Sequence, residues 1–223
     1  MRTQSAPIKI AANYWLSICA ALLIFALMGC TTTGNVDPKY DFSAHTNTGL
    51  LIFSVTHDAD YNTFGRRGHN IYLAIYFRNI ETGDTILRAD SNDWGVLIPP
   101  TTPFGNVWGT LYVREFAAGR YELSTWSLHQ NTGVGINSFT PKQPPFPITF
   151  EVRPGSVTYI GNVHGDLLWK KNFFGLDLVA GAIPQVKNEA ERDVSMTLKD
   201  YPQLNGKIVV APIHNGYWQA DSQ

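Results

Sequence analysis

Ile148-Thr149-Phe150-Glu151-Val152-Arg153-Pro154-Gly155-Ser156-Val157-Thr158-Tyr159-Ile160 is the stretch that decides the fold class. Ile148, Phe150 and Val152 alternate with Thr149, Glu151 and Arg153, a period of two that gives a strand one apolar and one wet face. Pro154-Gly155 is turn chemistry, and Val157, Tyr159 and Gly161 line one face of a following strand, so the pattern predicts a hairpin. An apolar sheet face needs a second layer to cover it.

Working outward, strands are expected at Leu50–Thr56, Asn70–Arg78, Thr85–Arg88, Trp94–Ile98, Val107–Phe116 and Arg120–Leu128. The run Ile71 to Phe77 is almost continuously apolar, as in a strand covered on both sides. Thr82-Gly83-Asp84 and Ala117-Ala118-Gly119 read as turns between strands. Thirteen prolines, 19 glycines and many short strands favour a sandwich over a helical or βαβ fold. The expected class is mainly β: a single antiparallel sandwich, prealbumin-like or immunoglobulin-like, with one helix near its end.

That helix is placed at about Asn188 to Lys199. Asn188 and Glu191 have capping-box spacing, and Ala190, Val194, Leu198 and Tyr201 recur on one face. Pro202 ends it at or before Tyr201. Lys207 to Pro212 reads as a last short strand and 215–223 as a tail.

The other informative segment is the N-terminus. Basic Arg2 and Lys9 precede an apolar run that stops at Leu27-Met28-Gly29-Cys30, the layout of a secretory signal peptide. The tetrapeptide resembles the lipobox of bacterial lipoproteins. That resemblance implies cleavage before Cys30, attachment of diacylglycerol to its sulfur and acylation of the new amino group. Several acyl chains make such an anchor durable where one would bind reversibly. In the sorting pattern of enteric-type lipoproteins an Asp after the cysteine retains the protein at the inner membrane. Thr31 stands there instead, which implies the outer membrane, with the face left open.

The expected organisation is a signal peptide at 1–29, lipidated Cys30 with a flexible tether at 30–49, a sandwich at 50–214 and the tail. The tether is rich in Thr, Asn, Asp and Gly without apolar periodicity. It would reach about 60 Å stretched and average about 25 Å as a coil. Removing 29 of the 223 residues leaves 194, enough for one domain with its own core. Losing Arg2 and Lys9 leaves 15 Lys and Arg against 18 Asp and Glu, a mature formal charge of −3. No broad basic footprint for nucleic acid remains. Of the two cysteines, Cys19 lies in the signal and Cys30 carries lipid, so no thiol is left for a disulfide, a metal or nucleophilic catalysis.

The phrases Gly119-Arg120-Tyr121-Glu122-Leu123, Phe150-Glu151-Val152-Arg153-Pro154-Gly155 and Tyr159-Ile160-Gly161 resemble those of bacterial lipoproteins carrying a small sandwich. The helix with Leu198 and Tyr201-Pro202 is similar to their closing segment. The resemblance implies a prealbumin-like or carboxypeptidase-regulatory-like sandwich and transfers no catalytic residue.

Candidate chemistry concentrates in His57-Asp58-Ala59-Asp60-Tyr61-Asn62, followed by His69. Spaced oxygens at Asp58, Asp60 and Asn62 resemble the start of a calcium loop, but Thr63 replaces its glycine and His69 its closing glutamate. His57, Asp58, Asp60 and His69 are therefore the candidate binding residues, with no metal and no cofactor expected. His164 near Asp166 is read as a turn histidine. Glu115 and Glu122 are read as partners of Arg114 and Arg120 across strands. Trp94, Trp108, Trp126, Trp169 and Trp218 offer a stacking platform, although core positions are the commoner use. Lys170-Lys171 beside Trp169 and Phe173-Phe174 would touch lipid headgroups or form a solvated turn.

These readings lead to a non-catalytic envelope lipoprotein, an accessory or binding module anchored to membrane lipid through Cys30, with an envelope protein as a further partner. The alternatives are a structural subunit of an envelope or secretion assembly, and a hydrolase or carbohydrate-binding protein using the His57–His69 loop or exposed tryptophans.

Overall fold

Among the residues that the computed structural model describes (35–41, 47–58, 71–91, 104, 107–131, 135–175 and 177–219), β1 (Thr48–Asp58) is the strand around which the rest assembles. It is buried from Gly49 to His57, so both of its faces are covered. On one side it pairs antiparallel with β4 (Val107–Ala117), and on the other it runs parallel to β8 (Val157–Lys171). β8 continues into β9 (Asp177–Lys187) through a hairpin. The start of β8 also takes β10 (Ile208–Val210), and β11 (Gly216–Tyr217) closes the edge beside β9.

The second sheet follows the order β3 (Thr85–Asp90), β2 (Ile71–Asn79), β5 (Gly119–Asn131), β6 (Ile136–Phe139), with β7 (Ile148–Val152) beside the first half of β5. The chain is thus mainly β, with two sheets and one helix, α1 (Ala190–Asp200), consistent with the expected sandwich. Its pairings are antiparallel except for the two parallel neighbours of β8.

Side-chain alternation on β1 divides the core. Leu51, Phe53 and Val55 face the second sheet and meet Leu73, Ile75, Phe77, Trp126 and Leu128. Phe53 lies against Phe77 and Tyr112 with ring centroids 4.9 and 5.0 Å away. Leu50 and Ile52 face outward into a smaller cluster with Val157, Tyr159, Tyr201 and Leu204. Ala190, Val194 and Leu198 of α1 pack on that cluster, as the helical stripe predicts. The helix stops at Tyr201 as expected, but its N-cap is Glu189, and Asn188 accepts only from the Ala190 amide at 3.2 Å.

Three expectations about connectivity change. The two presumed hairpins at Ala117-Ala118-Gly119 and Pro154-Gly155 are corners between sheets: β4 and β8 belong to the first sheet, β5 and β7 to the second. The turn chemistry is real, since Gly155 has φ +68° and its amide donates to the Thr48 carbonyl at 2.8 Å. Alternation shows which face is buried, not which strand is the neighbour, so it could not separate a corner from a hairpin.

Second, the tether region is partly docked. The Val36 amide donates to the Val113 carbonyl at 3.0 Å, and Tyr201 donates its hydroxyl to the Val36 carbonyl at 2.7 Å. Val36 and Tyr40 pack on the smaller cluster, so the folded unit begins at Val36 rather than residue 50. Third, Trp218 of the expected tail belongs to the core: it is 0% exposed and its indole N–H donates to the Phe146 carbonyl at 2.8 Å. The strand expected at Trp94–Ile98 lies outside the described residues.

Trp218→Ala should therefore cost about 3–5 kcal/mol in denaturant unfolding, as expected for a large buried aromatic. A loss below about 0.5 kcal/mol, the scale of a surface change, would return residue 218 to a tail.

Candidate functional site

The outward face of β1 changes character midway. After Leu50 and Ile52 come Ser54, Thr56 and Asp58, and the same face of β8 carries Asn162, His164 and Asp166. Register places Ser54 opposite Asn162 and Thr56 opposite His164. Because Ser54, Thr56, Asn162 and His164 are buried, each polar group must find a partner or impose a desolvation cost.

At the inner end of this row lies Asp193, fully buried in the first turn of α1. Its Oδ2 accepts from the Ser54 hydroxyl at 2.7 Å and the Tyr159 hydroxyl at 2.9 Å, and its Oδ1 from Arg192 Nε at 2.8 Å. The helix N-terminus adds a favourable dipole for this charge. The Arg192 guanidinium stacks over Phe104 at 4.7 Å. Burial, then the Asp193 charge, push the Tyr159 hydroxyl far above its usual pKa, so it remains a donor.

From there the row runs outward. Asn162 Nδ2 donates to Ser54 Oγ at 2.7 Å and to Thr56 Oγ1 at 3.1 Å. Thr56 Oγ1 shares a 2.8 Å hydrogen bond with His164 Nδ1. Gly109 of β4 lies opposite Thr56, where a Cβ would come within 2.4 Å of its methyl, so only glycine lets β4 close here.

The row ends at His164 Nε2, which faces Asp58 Oδ1 at 3.2 Å and Asp166 Oδ1 at 3.3 Å. The three ligand-type atoms lie within 4.8 Å of one another. Both carboxylates are held from behind. Asp58 Oδ2 accepts from the Leu167 amide at 2.8 Å. Asp166 accepts from the Gln185 amide group and has Lys187 Nζ at 3.9 Å. Burial alone would raise Asp58, but the bonds from His164 and the Leu167 amide outweigh it and hold the carboxyl below its ordinary pKa. His164 itself is buried, whereas the Asp58 and Asp166 side chains are 43% and 35% exposed, so the cluster opens to solvent on its acidic side.

Chemically, Thr56 gives His164 two usable tautomers. When Thr56 donates to Nδ1, Nε2 carries the proton toward the carboxylates. When Nδ1–H donates to Thr56, the Nε2 lone pair faces outward between two carboxylates, the arrangement that a cation requires. Hydroxyl, imidazole and carboxylate stand in the order of a nucleophile–base–acid triad, but Thr56 is 0% exposed, so its oxygen is closed to a substrate.

Of the sequence-predicted site residues, Asp58 is in this cluster. His57 is not, because neighbouring strand residues point to opposite faces: its Nδ1 shares a 2.7 Å hydrogen bond with Ser91 on the inter-sheet side. Asp60, His69 and Cys30 lie outside the described residues. His164 is a mid-strand residue rather than a turn histidine. The signal that would have found it is the period-two series Asn162, His164, Asp166 set against Ser54, Thr56, Asp58. Of the proposed aromatic platform, Trp108, Trp126 and Trp218 are buried in the domain, and Trp94 lies outside the described residues. Glu122 pairs with Arg78.

No protein-family model matches this chain, and no curated protein matches it. Among solved structures, a leucine-rich repeat protein from Bacteroides thetaiotaomicron is similar over 53% of this chain at 14% identity, with a TM-score of 0.27. The chain spans 14% of that protein's length. A likeness at that TM-score defines neither fold nor function.

His57 supplies a pH test. Burial, helped by the nearby His164, pushes its pKa from the usual 6.5 down to about 3, against a smaller opposing pull from Asp58. Below pH 6.5 the unfolded chain takes up a proton that the folded chain refuses until about pH 3, so stability falls as pH falls through that window. Urea unfolding at pH 7, 5.5 and 4 should show this loss, and His57→Gln should flatten it. An unchanged slope in the variant would assign the pH dependence to other groups.

Proposed function

We propose that this chain is a non-catalytic cell-envelope lipoprotein, anchored through Cys30 to the outer membrane. In this reading it serves as an accessory binding module whose recognition centre is Asp58, His164 and Asp166. The observation that carries the binding reading is the convergence of one imidazole nitrogen and two carboxylates at the solvent-open end of a buried, hydrogen-bonded row. Imidazole with carboxylate suits first-row divalent metals, three protein ligands leave coordination positions open, and the Thr56, Leu167, Gln185 and Lys187 contacts orient the donors as an outer shell does. A divalent cation, alone or carried by a ligand, is the class that this donor set fits.

The anchoring half rests on Leu27-Met28-Gly29-Cys30 and on Thr31 after it. Among the described residues no helix is long and apolar enough to cross a membrane. The burial of Thr56 is what weighs against hydrolysis by this triad-like series.

Cys30→Ser should abolish incorporation of labelled palmitate and stop maturation at the signal peptide. An unmodified Cys30 in the mature membrane protein, read by mass spectrometry, would end the lipoprotein reading, and fractionation solely with the inner membrane would end the outer-membrane placement. For the site, equilibrium dialysis against zinc should give one bound equivalent that Asp58→Asn with Asp166→Asn removes. Equal binding by wild type and double variant would refute the assignment.

A further inference from the structure

The hairpin between β8 and β9 carries an apolar tip that nothing among the described residues covers. Phe173 and Phe174 are 97% and 81% exposed. Their rings touch each other, edge to face at 5.5 Å, at the apex of a turn held by the Gly175 amide on the Asn172 carbonyl and the Phe174 amide on Asn172 Oδ1. The turn is therefore held by its own hydrogen bonds, and it presents the two rings rather than hiding them. Behind them on β8 stand first Lys171 and Lys170 and then Trp169 and Leu168, all four exposed.

The hairpin also outruns its neighbour. Among the described residues β1 pairs with β8 as far as Gly165, whereas β8 runs on to Lys171 with β9 as its partner. At about 3.3 Å per residue those six residues extend roughly 20 Å past the end of the β1 pairing. Leu167 and Val179 still pack in the core, so the free part of the ribbon is its end from Lys170 onward, and leaving two phenylalanines at that end has no packing benefit to the domain.

We infer that this tip is a lipid-contact element: Phe173 and Phe174 enter the interfacial region of an anionic bilayer, Lys171 and Lys170 behind them meet the headgroup phosphates, and Trp169 sits at the outer boundary of that layer. Aromatic residues followed by long basic side chains form the sequence of layers that a membrane interface presents, since lysine stems lie along apolar surface while their ammonium groups stay with the headgroups. The lysines are what choose this occupant. Two copies meeting tip to tip would bring Lys170 and Lys171 against their own counterparts, whereas anionic lipid complements them. Asp177, in register with Lys171, leaves the stretch from Leu168 to Leu178 with a net charge of +1.

A lipidated Cys30 would make a bilayer available. The chain is docked from Val36, so residues 31–35 separate it from Cys30, a span of about 20 Å at full extension. A domain tied to a bilayer through Cys30 would gain a second attachment at the tip. In that respect the inference rests on the proposed anchor, but lipid contact by the tip is measurable without it.

Residues 31–223 contain both clusters of the core, including Trp218, and form the test protein without a lipid. Co-sedimentation with vesicles of phosphatidylethanolamine and phosphatidylglycerol should retain this domain, with a blue shift of tryptophan emission that Trp169→Phe removes. Phe173→Ser with Phe174→Ser should weaken retention by about tenfold or more, from the apolar area withdrawn, with an unchanged thermal midpoint. Lys170→Glu with Lys171→Glu should weaken binding to these vesicles more than to phosphatidylcholine. Failure of the wild-type domain to sediment with the anionic vesicles would overturn the inference. So would equal retention of the Phe173→Ser/Phe174→Ser domain, or sedimentation of the wild type as a dimer that the same variant dissolves. Palmitate labelling of the full-length Phe173→Ser/Phe174→Ser protein should remain normal, so loss of the tip and loss of the anchor give separate readings.

Discussion

β1 is covered on both faces along almost its whole length, and that single constraint organises the molecule. A strand in this position cannot place polar side chains toward water, so each residue either packs or bonds. The inward set, Leu51, Phe53 and Val55, packs against the second sheet. The outward set begins apolar at Leu50 and Ile52, under α1, and turns polar at Ser54, Thr56 and Asp58. A polar half on a covered face is stable only if its partners are supplied, and β8, running parallel beside it, supplies Asn162 and His164 in register and Asp166 just beyond them.

The buried row has a closed end and an open end. At the closed end Asp193 ties α1 to both central strands through Ser54 and Tyr159, with Arg192 balancing its charge. Removing one partner from such a pair is far more damaging than the pair is stabilising, because a buried charge is left alone. The row is therefore all or nothing, and its geometry carries rigidly outward to His164. At the open end Asp58 and Asp166 reach solvent while their other contacts keep them fixed. A site held from behind and open in front is suited to capture a ligand rather than merely to fill space.

Most of the strand inventory could be read from the chain because alternation and turn residues are local signals. The apolar run Ile71 to Phe77 became β2, and the stripe through Ala190, Val194 and Leu198 became the packed face of α1. Partner choice could not be read in the same way. Ala117-Ala118-Gly119 and Pro154-Gly155 turn the chain as expected but deliver it to the other sheet, a difference that depends on contacts distant in sequence. β9 is hidden in the sequence because Pro184 and Gly181 interrupt its pattern, although proline is tolerable in a strand whose outer side is largely unpaired among the described residues. Val36-Asp37-Pro38-Lys39-Tyr40 looked like polar linker, yet Val36 and Tyr40 are the small apolar fraction that docks it. The candidate site was half legible. Asp58 was found, but it was grouped with His57, which the alternation of a strand sends to the opposite face, instead of with His164 and Asp166 more than a hundred residues later.

The most direct measurement of the central claim is the long-range proton–nitrogen spectrum of His164 in residues 31–223, recorded without and then with one equivalent of zinc. The account predicts that Nε2 shifts to a metal-bound position while Nδ1 carries the proton shared with Thr56, and that His57, on the other face of β1, stays where it was. A His164 ring unaffected by zinc, or a shift at His57 in its place, would contradict the assignment of Asp58, His164 and Asp166 as the binding centre.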